Sequence, residues 1–342
     1  MRVLIIGGTK FVGPFLVRRL LAGGHDVTVF HRGQHEADLP PEVHHVHSNS
    51  SSFLALNFPQ ELQRLKTDVV VHMIPMGEED ALAAMRFFRG HAARIMGISS
   101  GDVYRAYGIL SGMEDVPVTT GPLNEDSPLR ENLYIARAMA KDSSDWMYHY
   151  EKILAERAML SDPELPATIL RLPAVYGPGD EQHRFFPWLK RMQDRRPVIL
   201  LGEVQANWRW THGYVENVAA AIVAAVTNSK PPSKIYNVGE TITPTVAERI
   251  VSMAEVMNWN GEIRRLPDER LPAHLRLPFN FQQHLAYDTG HIRRELGYEE
   301  PIGPEAAMRT TIEWELAHPP AQINAKQFDY EAEDAAIESA LT

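Results

Sequence analysis

The chain contains no cysteine among its 342 residues. That absence excludes disulfides, thiolate metal sites and cysteine nucleophiles, and it fits a reducing compartment. Basic residues are in deficit, with 34 Lys and Arg against 44 Asp and Glu, a formal net charge of −10. A nucleic-acid surface needs clustered Lys and Arg to neutralise phosphates. The balance argues against such a surface and leaves room for a local basic pocket. Long apolar runs are missing too. Val3–Ile6 is too short for the apolar stretch of a signal peptide and no cleavage site follows it. The alanine-rich Val218–Val226 is far too short to span a bilayer. A cytoplasmic protein is therefore expected. The rest is ordinary: 44% hydrophobic and 23% charged residues suit a globular protein. The length suggests about two domains, and a chain of this size buries roughly three quarters of its unfolded surface without staples.

What is present in the first half is alternation. Strand signals at Arg2–Ile6, Asp26–Phe30, Val43–His47, Asp68–Met73, Ala93–Ser99 and Ala167–Leu172 are interleaved with helical stretches. The helices are expected over Lys10–Ala22, closed by Gly23-Gly24, over Ala81–Gly90, and over Ser144–Leu160, read as one amphipathic helix. This order predicts an α/β fold, a doubly wound parallel sheet of the Rossmann type. Ligands of such sheets bind at the carboxyl ends of the strands. From Pro173 the texture turns richer in proline and aromatics, which points to a smaller α+β substrate domain. The expected division is residues 1–172 for a dinucleotide-binding domain, with a return segment at about 210–240 that includes a strand at Lys234–Val238. Residues 173–318 would be mainly substrate-binding, and 319–342 an acidic, alanine-rich tail, loose or docked as a helix.

The turn "GGTKFVG" follows the first strand. Glycine there lets backbone N–H groups approach a pyrophosphate at the positive end of the next helix. The plain alternative is a tight turn without a ligand. Lys10 acts in one of two ways: its side chain obstructs close approach, or its ammonium reaches a phosphate. The second strand ends in His31 and Arg32 rather than a carboxylate. An acidic residue would hold the ribose of NAD, whereas arginine accommodates the 2′-phosphate of NADP, so NADP is favoured over NAD. The third strand, "HHVHSNSSS", places His45 and His47 on one face, with no carboxylate or fourth ligand near in the sequence. A half-exposed strand is expected there and no metal site.

In "YHYEKILAE", Tyr148 and Lys152 are four apart, so on a continuous helix they share a face. An ammonium beside a phenol stabilises the phenolate and makes tyrosine a usable acid/base. The bland reading makes Tyr150 the core aromatic and Tyr148 a surface residue. The fifth strand ends "ISSGDVYRAYG", where a serine hydroxyl would orient a substrate oxygen or simply cap a turn.

Taken together, "GGTKFVG", "DVVVHM", "SSGDVY", "YHYEKILAE", "LRLPAVYGPGD", "THGYVENVAAAI" and "IYNVG" resemble the extended short-chain dehydrogenases/reductases. The resemblance is specifically to the NAD(P)-dependent epimerase/dehydratase family that acts on nucleotide sugars, and it covers about residues 1–315. The resemblance implies a catalytic triad of Ser100, Tyr148 and Lys152. It implies cofactor contacts from Gly7, Gly8, Thr9, Lys10, Phe11, Val12 and Gly13, from His31 and Arg32, and from Asn49, Ile74, Ser99, Leu172 and Pro173, with Tyr148 and Lys152 added. It also implies a possible homodimer. Departures mark the chain. Lys10 replaces the middle glycine, and GGT-Lys-Phe is also similar to the chloroplast stem-loop-binding branch, some of whose members associate with RNA. The fourth strand ends in "IPM", and a long insertion at about 105–130 follows Ser100. Ala174 stands where many relatives place an asparagine. For the substrate, Asp102, Arg184 and Arg209 are the candidates, with a guanidinium fork suited to phosphate. Lys190 and Arg191 read as surface charge. The expected activity is hydride transfer coupled to tyrosine-mediated proton transfer on a nucleotide sugar. The alternatives are an NADPH-dependent carbonyl reductase on a non-nucleotide substrate and a non-catalytic RNA-binding protein.

Overall fold

Arg2–Ile6 (β1) is buried at every position from Val3 onward. Burial on both faces is what a central strand of a parallel sheet demands, and it explains a run that is continuously apolar rather than alternating. In the computed structural model, which describes residues 1–50, 52, 54–228 and 235–340, β1 leads through the glycine turn into Val12–Ala22 (α1). Asp26–His31 (β2), His44–His47 (β3), Glu61–Arg64 (α2), Thr67–His72 (β4), Glu78–Phe88 (α3) and Ala92–Ser100 (β5) follow. The insertion after β5 contributes Arg105–Leu110 (α4), and Trp146–His149 (α5) precedes Lys152–Leu160 (α6) and Ala167–Leu172 (β6).

The second half holds Ala174–Tyr176 (β7), Phe186–Gln193 (α7), Val198–Gly202 (β8), Glu203–Asn207 (α8), His212–Tyr214 (β9) and Val215–Thr227 (α9). After it come Ile235–Asn237 (β10), Val246–Met257 (α10), Glu262–Leu266 (β11), Gly290–Leu296 (α11), Pro304–Ala317 (α12) and Tyr330–Ser339 (α13). The return strand expected at Lys234–Val238 is β10, which pairs with β6; Lys234 itself lies outside the described residues. The main sheet runs β10-β6-β5-β4-β1-β2-β3, and its pairings are parallel throughout. Strand order reverses between β1 and β4, and the crevice outside their carboxyl ends is where such sheets take ligands. Leu16, Val17 and Leu20 of α1 pack with Ile222 and Val226 of α9 on one side of the sheet. Ala84 and Phe88 of α3 pack with Met159 of α6 on the other. The doubly wound α/β class expected from the sequence is the class observed. Among the described residues no helix is long and apolar enough to cross a membrane.

The expected single helix over Ser144–Leu160 is not continuous. It breaks at Tyr150 and Glu151, whose backbones are extended (ψ of 110° and 95°). Long-range contacts stabilise the break. The Glu151 amide leaves the helix to donate to the Met76 carbonyl at 2.8 Å. Its carboxylate caps α6 by accepting from the Ile153 amide and takes the Arg130 guanidinium at 3.1 Å, both charges fully buried. Arg130 also donates to the Asp102 carbonyl, so the insertion is stapled to the end of β5. Gly77 fits beneath this segment because any Cβ there would lie 2.3 Å from the His149 carbonyl oxygen. The tail is docked through α13: buried Glu333 accepts from Arg191 at 2.6 Å and sits 3.1 Å from the His274 ring. Arg191, read from sequence as surface charge, is therefore an internal anchor.

Candidate active site

The glycine turn opens into a cleft of about 460 Å³. Gly7 and Gly8 sit at φ of 88° and 85°, backbone that L side chains rarely adopt. A Cβ at Gly13 would lie 2.2 Å from the Gly8 carbonyl oxygen, so close packing of turn on helix requires glycine there. The first turn of α1 carries no acidic side chain. These features fit a pyrophosphate held on backbone amides at a helix N-terminus. The substitution at position 10 costs the turn no strain, because the positive φ falls on Phe11 (50°) and not on Lys10. The Lys10 ammonium instead reaches across the mouth to Glu181 at 2.7 Å.

Gly7, Gly8, Thr9, Lys10, Phe11, Val12, His31, Arg32, Ile74 and Leu172 line this one cleft. Six other candidates do not, Tyr148 and Lys152 among them. Gly13 lies beneath the turn. Asn49 is exposed, and its neighbour Ser48 lines the wall instead. Pro173 packs toward Gly213 and Gly239. Ser99 is buried and donates to Glu156 at 2.6 Å. Neighbouring residues of a strand face opposite sides, so only one of Ser99 and Ser100 can address the site.

That residue is Ser100. Its Oγ accepts from the Asp102 amide at 3.3 Å. The Asp102 carboxylate accepts from the Tyr150 phenol at 2.6 Å. Lys152 lies 5.6 Å from the Tyr150 ring centroid, donating to the carbonyls of Pro75 (2.7 Å) and Ile98 (3.2 Å). Asp102 Oδ1 is buried without a hydrogen-bond partner. Burial raises the Asp102 carboxyl above its ordinary value, although Tyr150, Arg130 and Lys152 oppose that shift. The Tyr150 phenol is pushed well up, by burial first and then by the Asp102 charge, while the Ser100 hydroxyl pulls the other way. Burial lowers the Lys152 ammonium to about 8, although Asp102, Asp80 and Glu156 push it up.

Tyr148 takes no part in this cluster. The helix break removes the shared face with Lys152, and the Tyr148 ring packs 4.5 Å from the Arg137 guanidinium. Sequence spacing favoured Tyr148 because it assumed an unbroken helix. The available clue to Tyr150 was its closeness to Lys152, since nothing local announces the break. Asp102, expected at the substrate, is the hydrogen-bond partner of Tyr150.

A second cavity, of about 300 Å³, is lined by Tyr107, Trp188, Trp208, Trp210, Phe279 and Phe281 together with Arg184. Burial first, and then the Asp102 charge, raises the Tyr107 phenol, so this cavity feels the charge of the cluster. Arg184 is held by Asp180 at 2.6 Å. Arg209 is not in the lining; it donates to the Thr243 carbonyl and lies 3.5 Å from Glu248. In extended backbone Trp208 and Trp210 share one side and Arg209 takes the other. The histidine strand departs from expectation as well: Glu36 and His31 stand beside His45 and His47, so a carboxylate and a further ligand are near.

Fold and cleft define a doubly wound α/β chain with a glycine turn at the carboxyl end of β1. A model of the NAD dependent epimerase/dehydratase family matches residues 121–239. A 2′-dehydrokanamycin reductase of Streptomyces kanamyceticus is 25% identical over 240 residues, 67% of this chain and 59% of that protein. A UDP-N-acetyl-alpha-D-glucosaminuronate decarboxylase of Bacillus cytotoxicus is 23% identical over 332 residues, 92% of this chain and 97% of that protein. Among solved structures, a UDP-glucuronic acid 4-epimerase from Bacillus cereus, in complex with UDP-glucuronic acid and NAD, superposes with a TM-score of 0.65. It is 17% identical, and the match covers 92% of this chain and 98% of the other, which establishes the shared fold. The chain is thus similar to the NAD dependent epimerase/dehydratase family over residues 121–239 and shares the fold of the sugar-nucleotide epimerase structure.

Proposed function

We propose that the chain is a cytoplasmic NAD(P)-dependent oxidoreductase of the epimerase/dehydratase type that acts on a nucleotide sugar. Residues 1–172 would hold the cofactor and 173–318 mainly the substrate. The observation that carries this reading is the Ser100–Asp102–Tyr150–Lys152 cluster at the carboxyl end of β5, whose Ile98, two residues before Ser100, lines the cleft of the glycine turn. Nicotinamide dinucleotide bound in the cleft supplies the hydride acceptor or donor. The amides around Gly7, Gly8 and Phe11 would hold its pyrophosphate, and Arg32, at the edge of the cleft, would favour NADP.

The chain's own residues manage the proton. Ser100 positions the reacting substrate oxygen. During oxidation the hydroxyl proton of the substrate passes to the Tyr150 oxygen while the phenolic proton of Tyr150 passes to Asp102. No free phenolate accumulates, in keeping with the raised phenol. Burial makes Asp102 a better proton acceptor by raising it. In the reverse direction neutral Tyr150 donates to a carbonyl oxygen and recovers its proton from Asp102. The Lys152 ammonium favours negative charge on this pair at close range.

The charge on Lys152 sets a pH limit. With its value lowered to about 8, kcat/KM falls above pH 8 as the ammonium is lost. Unfolding does not produce this fall. The folded value lies below the unfolded one, so protonated Lys152 costs the fold free energy below pH 8, and that cost fades as pH rises toward 10.5. A pH–rate profile read beside a stability profile separates the two. Lys10 gives a second prediction. If its ammonium assists the phosphates in competition with Glu181, Glu181→Gln tightens NADPH about two- to fivefold, the scale of an exposed ion pair, and Lys10→Gly weakens it. A fluorescence titration at low salt reads both, and tightening by Lys10→Gly would mean that the side chain obstructs.

One observation favours a second reading, an NADPH-dependent reductase of a non-nucleotide sugar ketone. The cavity beside the cluster is walled by tryptophan and phenylalanine, and one relative is a 2′-dehydrokanamycin reductase. NMR of UDP-glucuronic acid incubated with the protein tests the first reading, and oxidation of added NADPH by sugar ketones tests the second. Epimerised or dehydrated product without net NADPH use supports the first. Stoichiometric NADPH oxidation with ketones alone replaces it with the second.

A further inference from the structure

The stretch from the end of β2 to β3 gathers four side chains to which the proposed proton transfer gives no role, although His31 also lines the cofactor cleft. His31 Nε2 lies 2.9 Å from His45 Nδ1. Glu36 places one carboxylate oxygen 3.0 Å from His47 Nε2 and the other 3.7 Å from His45 Nδ1 and 3.9 Å from His31 Nε2. All four potential ligand atoms lie within 4.8 Å of one another. We propose that His31, Glu36, His45 and His47 bind one divalent transition-metal ion of the zinc type.

The backbone explains the convergence. His45 and His47 alternate on a strand and share a face. His31 is paired with His47 in the parallel register of β2 and β3, which brings its ring alongside. Gly33 turns the chain at φ 70°, and a Cβ there would lie 3.3 Å from the His47 ring. That turn returns Glu36 across the three imidazoles. Ligands about 2.0–2.1 Å from a tetrahedral zinc are separated by roughly 3.4 Å. The observed spacings bracket that value, so small side-chain shifts suffice. Three imidazoles and one carboxylate select zinc, cobalt, nickel or copper over magnesium and calcium, which prefer oxygen ligands. His31 is buried, while Glu36 and His47 are more than half exposed (56% and 54%), giving an ion a route in.

The competing account is a hydrogen-bonded histidine cluster gathered by Glu36 without any ion. In that account His31 Nδ1 keeps the Gly33 amide it now accepts at 3.2 Å. With metal on Nε2 the neutral ring carries its proton on Nδ1, and this long bond is released.

The test uses the untagged full chain, stripped of metal by chelator and measured without nucleotide, so its outcome is independent of the cofactor reading. Zn²⁺ titration should show one equivalent taken up. Co²⁺ should give the visible absorption of a four-coordinate site. Zn²⁺ should also raise the thermal midpoint, because it binds only the folded chain. The His45→Ala/His47→Ala double variant should lose affinity by more than the roughly 10–100-fold that removing an outer partner of a metal ligand costs. Glu36→Gln, at an exposed position that does not threaten folding, should weaken binding and alter the cobalt spectrum. No stoichiometric uptake, or uptake and spectrum unchanged in Glu36→Gln and in a folded double variant, overturns the proposal.

Discussion

Tyr150→Phe lowers kcat by about 10²–10⁴-fold, the usual contribution of a positioned acid/base, and changes KM little. Tyr148→Phe leaves kcat near the wild-type value. The contrast follows from the break between α5 and α6. Tyr150 donates to Asp102 at 2.6 Å with Lys152 behind its ring. Tyr148 packs on Arg137. Asp102→Asn is the informative companion. It retains a hydrogen-bond acceptor for the phenol and removes the proton sink, so oxidation suffers more than reduction. If Tyr148→Phe were the inactive variant, the segment would have to rewind into one helix during turnover. Steady-state kinetics of the three variants in both directions decides between these outcomes.

The second large effect is on stability. Glu156 and Arg171 form a buried pair with side chains 4% and 2% exposed, joined by bonds of 2.7 and 2.9 Å. Ser99 also donates to Glu156, and Arg171 donates to the Tyr104 hydroxyl at 3.1 Å, which in turn donates to Asn237 of β10. The network therefore ties β5, α6, β6 and the returning β10 together beneath the site. Glu156→Ala leaves the guanidinium buried and unpaired, a loss of about 3–5 kcal/mol. Replacing both partners with apolar residues of similar volume recovers most of it, because the cost lies in the stranded charge. Urea unfolding of the single and double variants reads this directly. A single variant as stable as the wild type contradicts the account.

Strand and helix order was legible in the sequence because burial on both faces leaves continuous apolar runs such as Val3–Ile6, and because the glycine turn must fall between a strand and a helix. Ser100 and Lys152 were legible as strand-end and helix residues, and the structure does bring them to one place. The tyrosine was not. Helical spacing reads Tyr148 and Lys152 as neighbours, but the break is fixed by Arg130 and Met76, 21 and 75 residues from Glu151. No local signal encodes such contacts. Ser99 and Ser100 look alike in sequence and are separated only by the phase of β5. Arg209 looked like an anion clamp between two tryptophans, and the same alternation turns it away from the cavity they line. Glu36 was invisible as a partner of the histidines because its approach depends on the left-handed turn at Gly33.

The central claim is that the glycine turn, with Lys10 in place of a glycine, holds a nicotinamide dinucleotide beside Tyr150. Fluorescence titration of the purified chain with NADPH and with NADH tests it most directly. The account predicts saturable binding of one nucleotide per chain, tighter for NADPH, with the preference lost in Arg32→Ala. Failure of both nucleotides to bind would contradict it.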